Sequence, residues 1–405
     1  MTAAPDLSRS VYRNVSVLAV AQGLFMSVQA MGIATSPLAG HALLGADKSL
    51  ATLPIFLNHA GIMLTTIPAS LLMGRIGRRA GFSIGALLGV AFGGLAAYAI
   101  WCQSFWLLCA SALLQGASAA FSWYYRFAAA DASPMAFKPK AISLVMAGGV
   151  LAGFLGPQLA KWTVHWFDPI AFMGVYVAAA LIGLTSLILV QALRIPTPTA
   201  EQRAEGGRPL REIARQPAYR VALLSSMFGY AVMTLVMSAT PLAMLACGYG
   251  FADSATVIQA HIIGMFLPSF FTGSLIARFG VLPIIASGAL IELGCALVNL
   301  SGVDFKNFLV ANALVGLGWN FAYVGGSTLL TRTYTPAERA KVQASHDFVV
   351  YAATATAAAS AGFLQQRAGW MVINLAAVPV LSIVLVSATW LALRQRREGA
   401  LQPAE

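Results

Sequence analysis

Residues 51–102 read ATLPIFLNHAGIMLTTIPASLLMGRIGRRAGFSIGALLGVAFGGLAAYAIWC. Two apolar runs, 51–73 and 82–102, are separated by a short break that carries three arginines. A helix needs roughly 20 apolar residues to cross a bilayer, and each run has that length. In lipid an isolated strand would leave its backbone polar groups unsatisfied. The stretch therefore predicts two membrane helices joined by a basic turn.

The rest of the chain repeats this pattern. Of its 405 residues, 59% are hydrophobic and only 10% are charged, and the mean hydropathy is +0.76. Soluble domains carry about 25% charged residues, so the surface of this chain is expected to face the hydrocarbon of a lipid bilayer. We predict an all-α integral membrane protein with twelve transmembrane helices. Their predicted bounds are 14–40, 51–73, 82–102, 105–130, 141–165, 170–194, 219–247, 254–277, 282–301, 306–330, 344–366 and 369–393.

The placement of the basic residues predicts the orientation of the chain. Lys and Arg lie in the breaks between apolar runs, which argues against a nucleic-acid partner despite the net charge of +11. With the N-terminus inside, 21 of them fall on the inner side and four on the outer side, so both termini are expected in the cytoplasm. The first apolar run continues past Ala39. Because a signal-peptide core has only ~7–15 residues, this run is expected to be a retained span.

One polar stretch divides the chain. Residues 195–218 read IPTPTAEQRAEGGRPLREIARQPA, and their Pro, Gly and charged residues are typical of a cytoplasmic linker. The linker would separate a six-span bundle at 1–194 from a second bundle at 219–405. Faint repeats indicate that the two halves are related. They match Pro37, Leu38 and Ala39 with Pro241, Leu242 and Ala243, then Gly61, Arg75 and Gly77 with Gly264, Arg278 and Gly280, and Gly116 and Phe121 with Gly316 and Phe321.

The break after the second span carries a motif. Residues 70–79, SLLMGRIGRR, resemble the loop signature Gly-x-Leu-Ala-Asp-Arg-x-Gly-Arg-Arg of the major facilitator superfamily, and residues 273–280, GSLIARFG, resemble a degenerate second copy. Gly77 permits a tight turn between two helices. Gly74 and Ala277 replace the family's Asp. The gate contact of that Asp is therefore expected to be made otherwise, and the gate and loop candidates are Arg75, Gly77, Arg78, Asp131 and Arg278, with Arg75 or Arg78 reaching Asp131 or Asp347.

Two further stretches carry the resemblance. Residues 112–120, ALLQGASAA, resemble the family's motif in the fourth span, with Ala112 in place of an arginine often linked to proton coupling. Residues 149–157, GVLAGFLGP, resemble the glycine-rich motif of drug/proton antiporters, although close helix packing explains such small residues equally well. The resemblance implies two pseudosymmetric six-helix bundles, a substrate site at mid-membrane and alternating access by rocking. It also implies a monomeric carrier in a bacterial inner membrane.

In the family, spans 1, 4, 7 and 10 line the central cavity. The resemblance therefore implies these candidate substrate-binding residues: Gln22, Gln29, Gln115, Trp123, Tyr124, Arg126, Tyr230, Trp319, Asn320 and Tyr323. Interhelical hydrogen bonds, or positions at the membrane interface, remain the alternative for these side chains. Arg126 either anchors the inner surface by pairing with Asp131 or binds an anionic group of the solute.

Further polar residues within the spans are candidates for proton coupling. They are His59, His261, Glu292, His346 and Asp347. Histidine titrates near physiological pH, and ionisable groups are costly in a bilayer. The alternatives are interfacial hydrogen bonds for His59 and His261, and for Asp347 a place at the start of span 11, where a carboxylate meets a helix N-terminus favourably. Glu292 lies midway along span 9 and has no comparable explanation.

The sequence contains no catalytic constellation and no phosphate-binding loop, and its five histidines are scattered. The four cysteines show no metal-like spacing and are expected to be buried thiols. We therefore expect no cofactor, no metal and no enzyme activity. The leading hypothesis is a secondary active or facilitative carrier of a small, ring-containing organic solute, with protons as a candidate coupling ion and riboflavin-type uptake carriers as one candidate family. Drug or metabolite efflux by proton antiport, and a membrane-embedded enzyme or sensor, are the alternatives.

Overall fold

The computed structural model describes residues 9–44, 50, 53–195 and 207–400. The chain forms two compact units, Met1–Glu205 and Gly206–Glu405. Much of the predicted linker, residues 196–206, lies outside the described residues. The helices of unit 1 are α1 Arg9–Leu43, α2 Leu53–Ile76, α3 Arg78–Trp101, α4 Phe105–Ser122, α5 Tyr125–Asp131, α6 Lys138–Ala147, α7 Val150–Thr163 and α8 Met173–Val190. The helices of unit 2 are α9 Leu210–Ile213, α10 Pro217–Ala246, α11 Phe251–Phe266, α12 Ser269–Phe279, α13 Val281–Ser301, α14 Phe305–Leu330, α15 Arg339–Arg367 and α16 Gly369–Ala400.

Within the described ranges, eleven helices or helix pairs are long and apolar enough to cross a membrane. Their outer faces carry large exposed apolar side chains such as Trp106, which suits contact with lipid. The eleventh predicted span corresponds to α15, which has 29 residues but is not among the eleven. The first turns of α15 are polar and include Arg339 and Lys341, so its apolar part is short.

The start of α15 corrects one expectation. Asp347 was expected to begin the eleventh helix, but α15 begins at Arg339 and Asp347 lies eight residues inside it. The carboxylate of Asp347 is therefore too far from the helix N-terminus to interact with the unpaired N–H groups of the first turn. The residue before the helix is Glu338, which the sequence reading had not singled out.

Three of the predicted spans are interrupted rather than continuous. The fourth breaks at Trp123–Tyr124, the fifth at Gly148–Gly149 and the eighth at Leu267–Pro268. Pro268 has no N–H to donate within a helix, so a break at this residue follows from its chemistry. The glycine-rich run of the fifth span packs closely on α1, because a Cβ on Gly156 would lie 2.6 Å from Ala30 Cβ. Close packing thus explains the small size of Gly156.

In each unit, two helices cross very closely at a pair of glycines that the sequence repeat relates. In unit 1, α2 and α4 meet at Gly61 and Gly116, where a Cβ added to Gly116 would lie 2.1 Å from the carbonyl oxygen of Asn58. In unit 2, α11 and α14 meet at Gly264 and Gly316, where a Cβ on Gly316 would lie 2.5 Å from the carbonyl oxygen of His261. These are the glycines that the sequence repeat matched, and the repeat therefore has a structural basis.

The two copies of the loop motif also share a backbone conformation. Gly77 has φ 89° and Gly280 has φ 90°, and each is followed directly by the next helix. Residues other than glycine rarely adopt this region. The glycines thus allow consecutive helices to reverse direction without an extended loop.

Two of the four cysteines do not fit the expectation of buried thiols. Cys109 and Cys295 are buried, whereas Cys102 and Cys247 are exposed. Cys102 caps the end of α3 and Cys247 directly follows α10, so both lie at helix ends rather than on packed faces.

Candidate functional site

Unit 2 contains a cluster of aromatic side chains from three helices. Trp319 and Tyr323 of α14 are stacked with ring centroids 5.0 Å apart and an interplanar angle of 15°. Tyr230 of α10 makes edge contacts with both rings at 5.3 Å. Tyr351 of α15 lies 6.2 Å from Tyr230, and its hydroxyl is hydrogen-bonded to that of Tyr323 at 3.1 Å. We call Tyr230, Trp319, Tyr323 and Tyr351 the aromatic cluster.

The helical repeat explains why α14 presents two of these rings together. Residues four apart lie on one face of a helix, so Trp319 and Tyr323 point in the same direction. Phe266 of α11 packs edge-on against Trp319 at 5.9 Å and supports its far side. The indole Nε1 of Trp319 is buried and has no hydrogen-bond partner among the described residues. The cluster therefore contains an unused donor beside its stacked rings.

Asn320 lies on a different face of α14. Its amide donates to the carbonyl oxygen of Met265 at 2.7 Å, and its side-chain oxygen accepts from Thr272 Oγ1 at 2.7 Å. One residue advances a helix by about 100°, so the neighbour of Trp319 is turned away from the aromatic cluster. Asn320 thus ties α14 to the α11–α12 break and is not brought together with the aromatic candidates.

In unit 1 the polar candidates form a group of amides. Gln29 Oε1 of α1 accepts from Gln115 Nε2 of α4 at 2.8 Å and from Asn58 Nδ2 of α2 at 3.3 Å. Gln22 lies two turns before Gln29, is 1% exposed, and its Nε2 has no partner within the described chain. We call Gln29, Asn58 and Gln115 the amide group. A small cavity beside it is lined by Phe25, Gln29, Gly89, Gln115, Ser118 and Tyr125.

The three candidates near the break of the fourth span are buried. Trp123 packs edge-on against Phe25 of α1 at 5.5 Å, and the hydroxyl of Tyr124 donates to the carbonyl oxygen of Thr66 at 3.2 Å. The guanidinium of Arg126 is fully buried, donates to the carbonyl oxygen of Trp123 and lies 4.2 Å from the ring centroid of Phe127. Arg126 is therefore held by its own helix turn and by a cation–π contact.

The gate and loop candidates separate into one buried pair and two exposed cations. Arg78 Nη2 donates to Asp131 Oδ2 at 3.0 Å, and both side chains are almost fully buried. The expectation that an arginine after span 2 reaches Asp131 is thus met by Arg78. Arg75 and Arg278, the repeated arginines of the two loop copies, are exposed. The pair links α3 to α5 within unit 1.

The histidine candidates differ in their partners. His59 Nδ1 is hydrogen-bonded to the carbonyl oxygen of Ile55 at 3.0 Å, within its own helix. His261 Nδ1 contacts the carbonyl oxygen of Asn312 at 3.0 Å on α14. His346 Nδ1 contacts Asp347 Oδ1 at 2.8 Å, and both of these side chains are fully buried. The second ring nitrogens of His261 and His346 have no partner within the described part of the chain.

Glu292 is the most unusual of the proton-coupling candidates. It lies in the middle of α13, is 1% exposed, and neither carboxylate oxygen has a hydrogen-bond partner among the described residues.

The start of the described part of unit 2 contains an ion pair that sequence reading missed. Arg208 donates to both carboxylate oxygens of Glu338 at 2.8 Å, and its backbone N–H donates to Glu338 Oε1 at 2.8 Å. Lys341 Nζ donates to the carbonyl oxygen of Gly207 at 2.9 Å. The Arg208 guanidinium lowers the pKa of the Glu338 carboxyl to about 2. We call Gly207, Arg208, Glu338 and Lys341 the linker anchor.

Sequence reading missed other residues of these groups for a common reason. Asn58, Phe266 and Tyr351 lie on the second, eighth and eleventh spans. The binding candidates came from spans 1, 4, 7 and 10, which the family resemblance places around the cavity. A signal was present, because Asn58 is a polar residue in an apolar run and Tyr351 is a buried tyrosine in a small-residue helix. Among the described residues there is no group of three or more His, Cys, Asp or Glu side chains that could hold a metal ion.

Comparison with a family model and with related sequences indicates one family. Residues 15–302 match the family model "Major Facilitator Superfamily". A Brucella anthropi protein named "Riboflavin transporter RfnT" is 39% identical over 97% of this chain and 98% of its own length. A Bacillus subtilis protein named "Uncharacterized MFS-type transporter YddS" is 26% identical over 94% of this chain and 91% of its own length.

Two solved structures share the fold. The E. coli fucose:proton symporter FucP superposes with a TM-score of 0.77 at 16% identity and covers 94% of this chain and 99% of its own. The human organic anion transporter MFSD10 superposes with a TM-score of 0.74 at 14% identity, over 93% and 99% of the two chains. The relatives' names indicate a transporter rather than an enzyme. This chain, with its many apolar helices, belongs to the Major Facilitator Superfamily and is a multi-pass membrane transporter of a small molecule.

Proposed function

We propose that the chain carries riboflavin, or a solute with a similarly flat fused-ring system, by alternating access. The observation that carries the proposal is the aromatic cluster, in which Trp319 and Tyr323 already stack on each other. Aromatic side chains that present a ring face can stack on a planar solute, and such contacts contribute about 0.5–1.5 kcal/mol beyond the burial of area. The sequence similarity to a protein named as a riboflavin transporter supports the same class of solute.

Hydrogen-bonding groups beside the rings also suit such a solute. The ring edge of riboflavin has carbonyl acceptors and an imide N–H donor, and its side chain carries hydroxyl groups. Trp319 Nε1 is a buried donor without a partner among the described residues, and the Tyr323 and Tyr351 hydroxyls belong to the same cluster. In unit 1 the amide group offers both donors and acceptors. A site with buried polar groups discriminates strongly in favour of the solute that satisfies them.

We also propose twelve transmembrane helices, in which α15 is the eleventh span in chain order, with both termini in the cytoplasm of a bacterial cell, and function as a monomer. The charge distribution supports this orientation, because 21 Lys and Arg residues would lie on the cytoplasmic side and four on the outer side. Single cysteines added after residue 400 and before residue 9 should be blocked only by a membrane-permeant thiol reagent. Labelling of either end by an impermeant reagent on intact cells would contradict the orientation.

The function is tested by counterflow in proteoliposomes. Vesicles containing the purified protein are loaded with unlabelled riboflavin and diluted into a trace of radiolabelled riboflavin. We expect labelled riboflavin to enter transiently, because exchange needs no external energy source. Protein-free vesicles are the control. If riboflavin shows no exchange while a cationic drug does, the efflux alternative replaces the proposal.

Substitutions in the aromatic cluster link the activity to this site. Trp319→Ala removes the stacking ring and is expected to raise the half-saturating riboflavin concentration about tenfold, which corresponds to ~1.4 kcal/mol. Trp319→Phe keeps a ring and is expected to retain most of the affinity. Trp106→Ala removes a tryptophan that is 67% exposed and is the matched control, with no expected effect. Equal affinity in Trp319→Ala and the wild type would contradict a role for the cluster.

A further inference from the structure

The inference concerns Glu292 and the space in which its carboxyl group lies. Glu292 is 1% exposed, and both of its oxygens lack hydrogen-bond partners among the described residues. An ionised carboxylate buried without a partner carries a desolvation penalty of several kcal/mol at least. The packing therefore suits a protonated, neutral carboxyl group.

Small residues on two facing helices make room for the Glu292 side chain. A Cβ added to Gly318 of α14 would lie 2.5 Å from Glu292 Cγ. A Cβ added to Gly229 of α10 would lie 3.4 Å from Glu292 Oε1 and 3.0 Å from Ala322 Cβ. The carboxyl group therefore extends from α13 across the surface of α14 toward α10, and glycine is required on α14 for it to fit.

The corresponding place in unit 1 has the opposite arrangement. By the spacing of the sequence repeat, Gly89 of α3 corresponds to Glu292, and Ser118 of α4 corresponds to Gly318. A Cβ on Gly89 would lie 3.1 Å from Ser118 Oγ, and that hydroxyl donates to the carbonyl oxygen of Gly85 at 2.7 Å. Unit 1 thus places a small polar residue on one helix and glycine on the other. In unit 2 the glycine, Gly318, lies on α14, and the polar residue lies on α13, where it is the larger carboxylic acid Glu292.

The groups around Glu292 provide no compensating charge. On α13 the nearest titratable group is the Cys295 thiol, three residues further along the helix. From α10 the facing residue is Gly229, followed by Tyr230, and from α14 the facing residues are Gly318 and Ala322. α12 and α16 also pack on α13, and their ionisable residues are Arg278 at the end of α12 and a group of arginines with Glu398 at the end of α16.

Those arginines lie far from Glu292 along the helix axis. Asn299 of α13 donates to Asn374 of α16, which sets the register of the two helices and brings Leu381 level with Glu292. Arg394, the first arginine of α16, is then thirteen residues, or about 20 Å, away at 1.5 Å per residue. Arg278 lies at the end of α12, next to the start of α13 at Val281, which is eleven residues, or about 16 Å, from Glu292 along the helix axis. No described cation therefore pairs with Glu292.

We propose that Glu292 is a proton-binding site that couples the packing of α10, α13 and α14 to the proton gradient. Protonation transfers H⁺ from hydronium in water to one carboxylate oxygen, and release returns H⁺ to water, so no other reactant is required. The neutral acid fits the closed packing described here. The ionised form requires water at Gly229 and Gly318, and therefore requires the three helices to separate.

The position of the site connects it to the aromatic cluster. Gly229 directly precedes Tyr230, and Gly318 directly precedes Trp319. A change in the spacing of α10 and α14 at Glu292 therefore moves both rings at once. This proposal goes beyond the identity of the solute, because it holds for any solute that the cluster binds.

Infrared spectroscopy tests protonation directly and needs no solute. Difference spectra of the protein in lipid are recorded between neutral and alkaline buffers, in the region of the carbonyl stretch of protonated carboxylic acids. We expect a protonated acid at neutral pH in the wild type and its loss in Glu292→Gln. Asp131→Asn, which removes a carboxylate that is paired with Arg78, is the matched control and should keep the band. A wild-type spectrum identical to that of Glu292→Gln would overturn the proposal.

Transport assays test the coupling. In proteoliposomes with riboflavin as the probe, the wild type is expected to move solute several-fold faster with a proton gradient than without one. Glu292→Gln should retain counterflow but show equal rates with and without the gradient, and Glu292→Asp should restore part of the response. An unchanged gradient response in Glu292→Gln would overturn the coupling. If riboflavin is not exchanged at all, the proposed solute fails, whereas the infrared test still decides the proton site.

Discussion

Units 1 and 2 keep the same glycine contacts but fill the space around them with different chemistry. Gly61 and Gly116 bring two helix backbones together in unit 1, as Gly264 and Gly316 do in unit 2. Unit 1 has amides beside its crossing and a buried Arg78–Asp131 pair between the start of α3 and the end of α5. Unit 2 has stacked aromatic rings and Glu292, which has no hydrogen-bond partner among the described residues.

The difference teaches which positions the duplicated frame constrains. A backbone that lies against another backbone tolerates only glycine, so both copies have kept it. Side chains that point between helices can change in pairs, as the exchange of Gly89 and Ser118 for Glu292 and Gly318 illustrates. Function is therefore expected to depend on the positions at which the two copies differ, and folding on those at which they agree.

The largest effect is expected at the shared crossings. Gly116→Leu or Gly316→Leu would place side-chain atoms where a backbone carbonyl lies within 2.5 Å of the new Cβ. Over-packing normally costs about 1–3 kcal/mol, and backbone cannot rotate away, so we expect no folded protein in either variant. Size-exclusion profiles in detergent would measure this. Gly94→Ala, where nothing lies within 4 Å, is the control and should fold normally. A well-folded Gly316→Leu would mean that the second crossing is not constrained as the first is.

The next effect concerns the buried Arg78–Asp131 pair of unit 1. Arg78→Ala leaves Asp131 buried without this cation and is expected to destabilise the protein by about 3 kcal/mol. Thermal unfolding in detergent would report a lower Tm. Adding Asp131→Ala should recover part of the loss, because no uncompensated charge remains. Arg79→Ala removes an exposed neighbour and should change Tm little. A double variant less stable than Arg78→Ala would contradict the assignment.

A moderate effect is expected in the aromatic cluster of unit 2. Tyr351→Phe removes one hydroxyl of the Tyr323–Tyr351 hydrogen bond and leaves the ring in place. The loss of one buried hydrogen bond is expected to cost about 1 kcal/mol of stability. Tyr12→Phe removes the hydroxyl of an exposed tyrosine and serves as the control. If Tyr351→Phe unfolded at the same temperature as Tyr12→Phe and the wild type, the hydrogen bond between Tyr323 and Tyr351 would not contribute to stability.

The smallest effect is expected at the linker anchor and depends on pH. The Arg208 guanidinium lowers the Glu338 pKa from 4.5 to about 2, so its contribution to stability is fully present above pH 4.5 and is lost as pH falls toward 2. Glu338→Gln should therefore lower Tm at neutral pH. The difference from the wild type should shrink between those two values. A difference that stays constant down to pH 2 would show that the charge of Glu338 does not contribute.

Much of the fold was predictable from local composition. Apolar runs of the right length predicted the spans, and the sequence repeat indicated that the two halves are related, without predicting that its glycines lie at helix crossings. The start of α15 was not predictable from hydropathy, because its first two turns are polar and include Arg339, Lys341 and Gln343. Asp347 was consequently expected at the start of the helix, whereas the helix begins eight residues earlier, at Arg339.

The candidate site was predictable only in part, because side-chain direction is not readable from span membership. Trp319 and Asn320 are adjacent, yet one joins the aromatic cluster and the other bonds Thr272. The position of a residue around the helix axis decides which way its side chain points. An apolar span contains few polar residues that would indicate this position. The Glu292 side chain fits between the helices because Gly229 and Gly318 leave room for it. Both glycines are distant from Glu292 in the sequence, and neither has a side chain that would indicate this role.

The linker anchor has a practical consequence for dividing the polypeptide. Since Lys341 and Glu338 hold the backbone at Gly207 and Arg208, those two residues are structurally part of unit 2. Co-expression of the protein as two separate fragments should therefore succeed when the second fragment begins before Gly207. A fragment that begins after Pro209 would lose the partners of both Glu338 and Lys341, and would leave the buried Glu338 carboxylate without the guanidinium of Arg208.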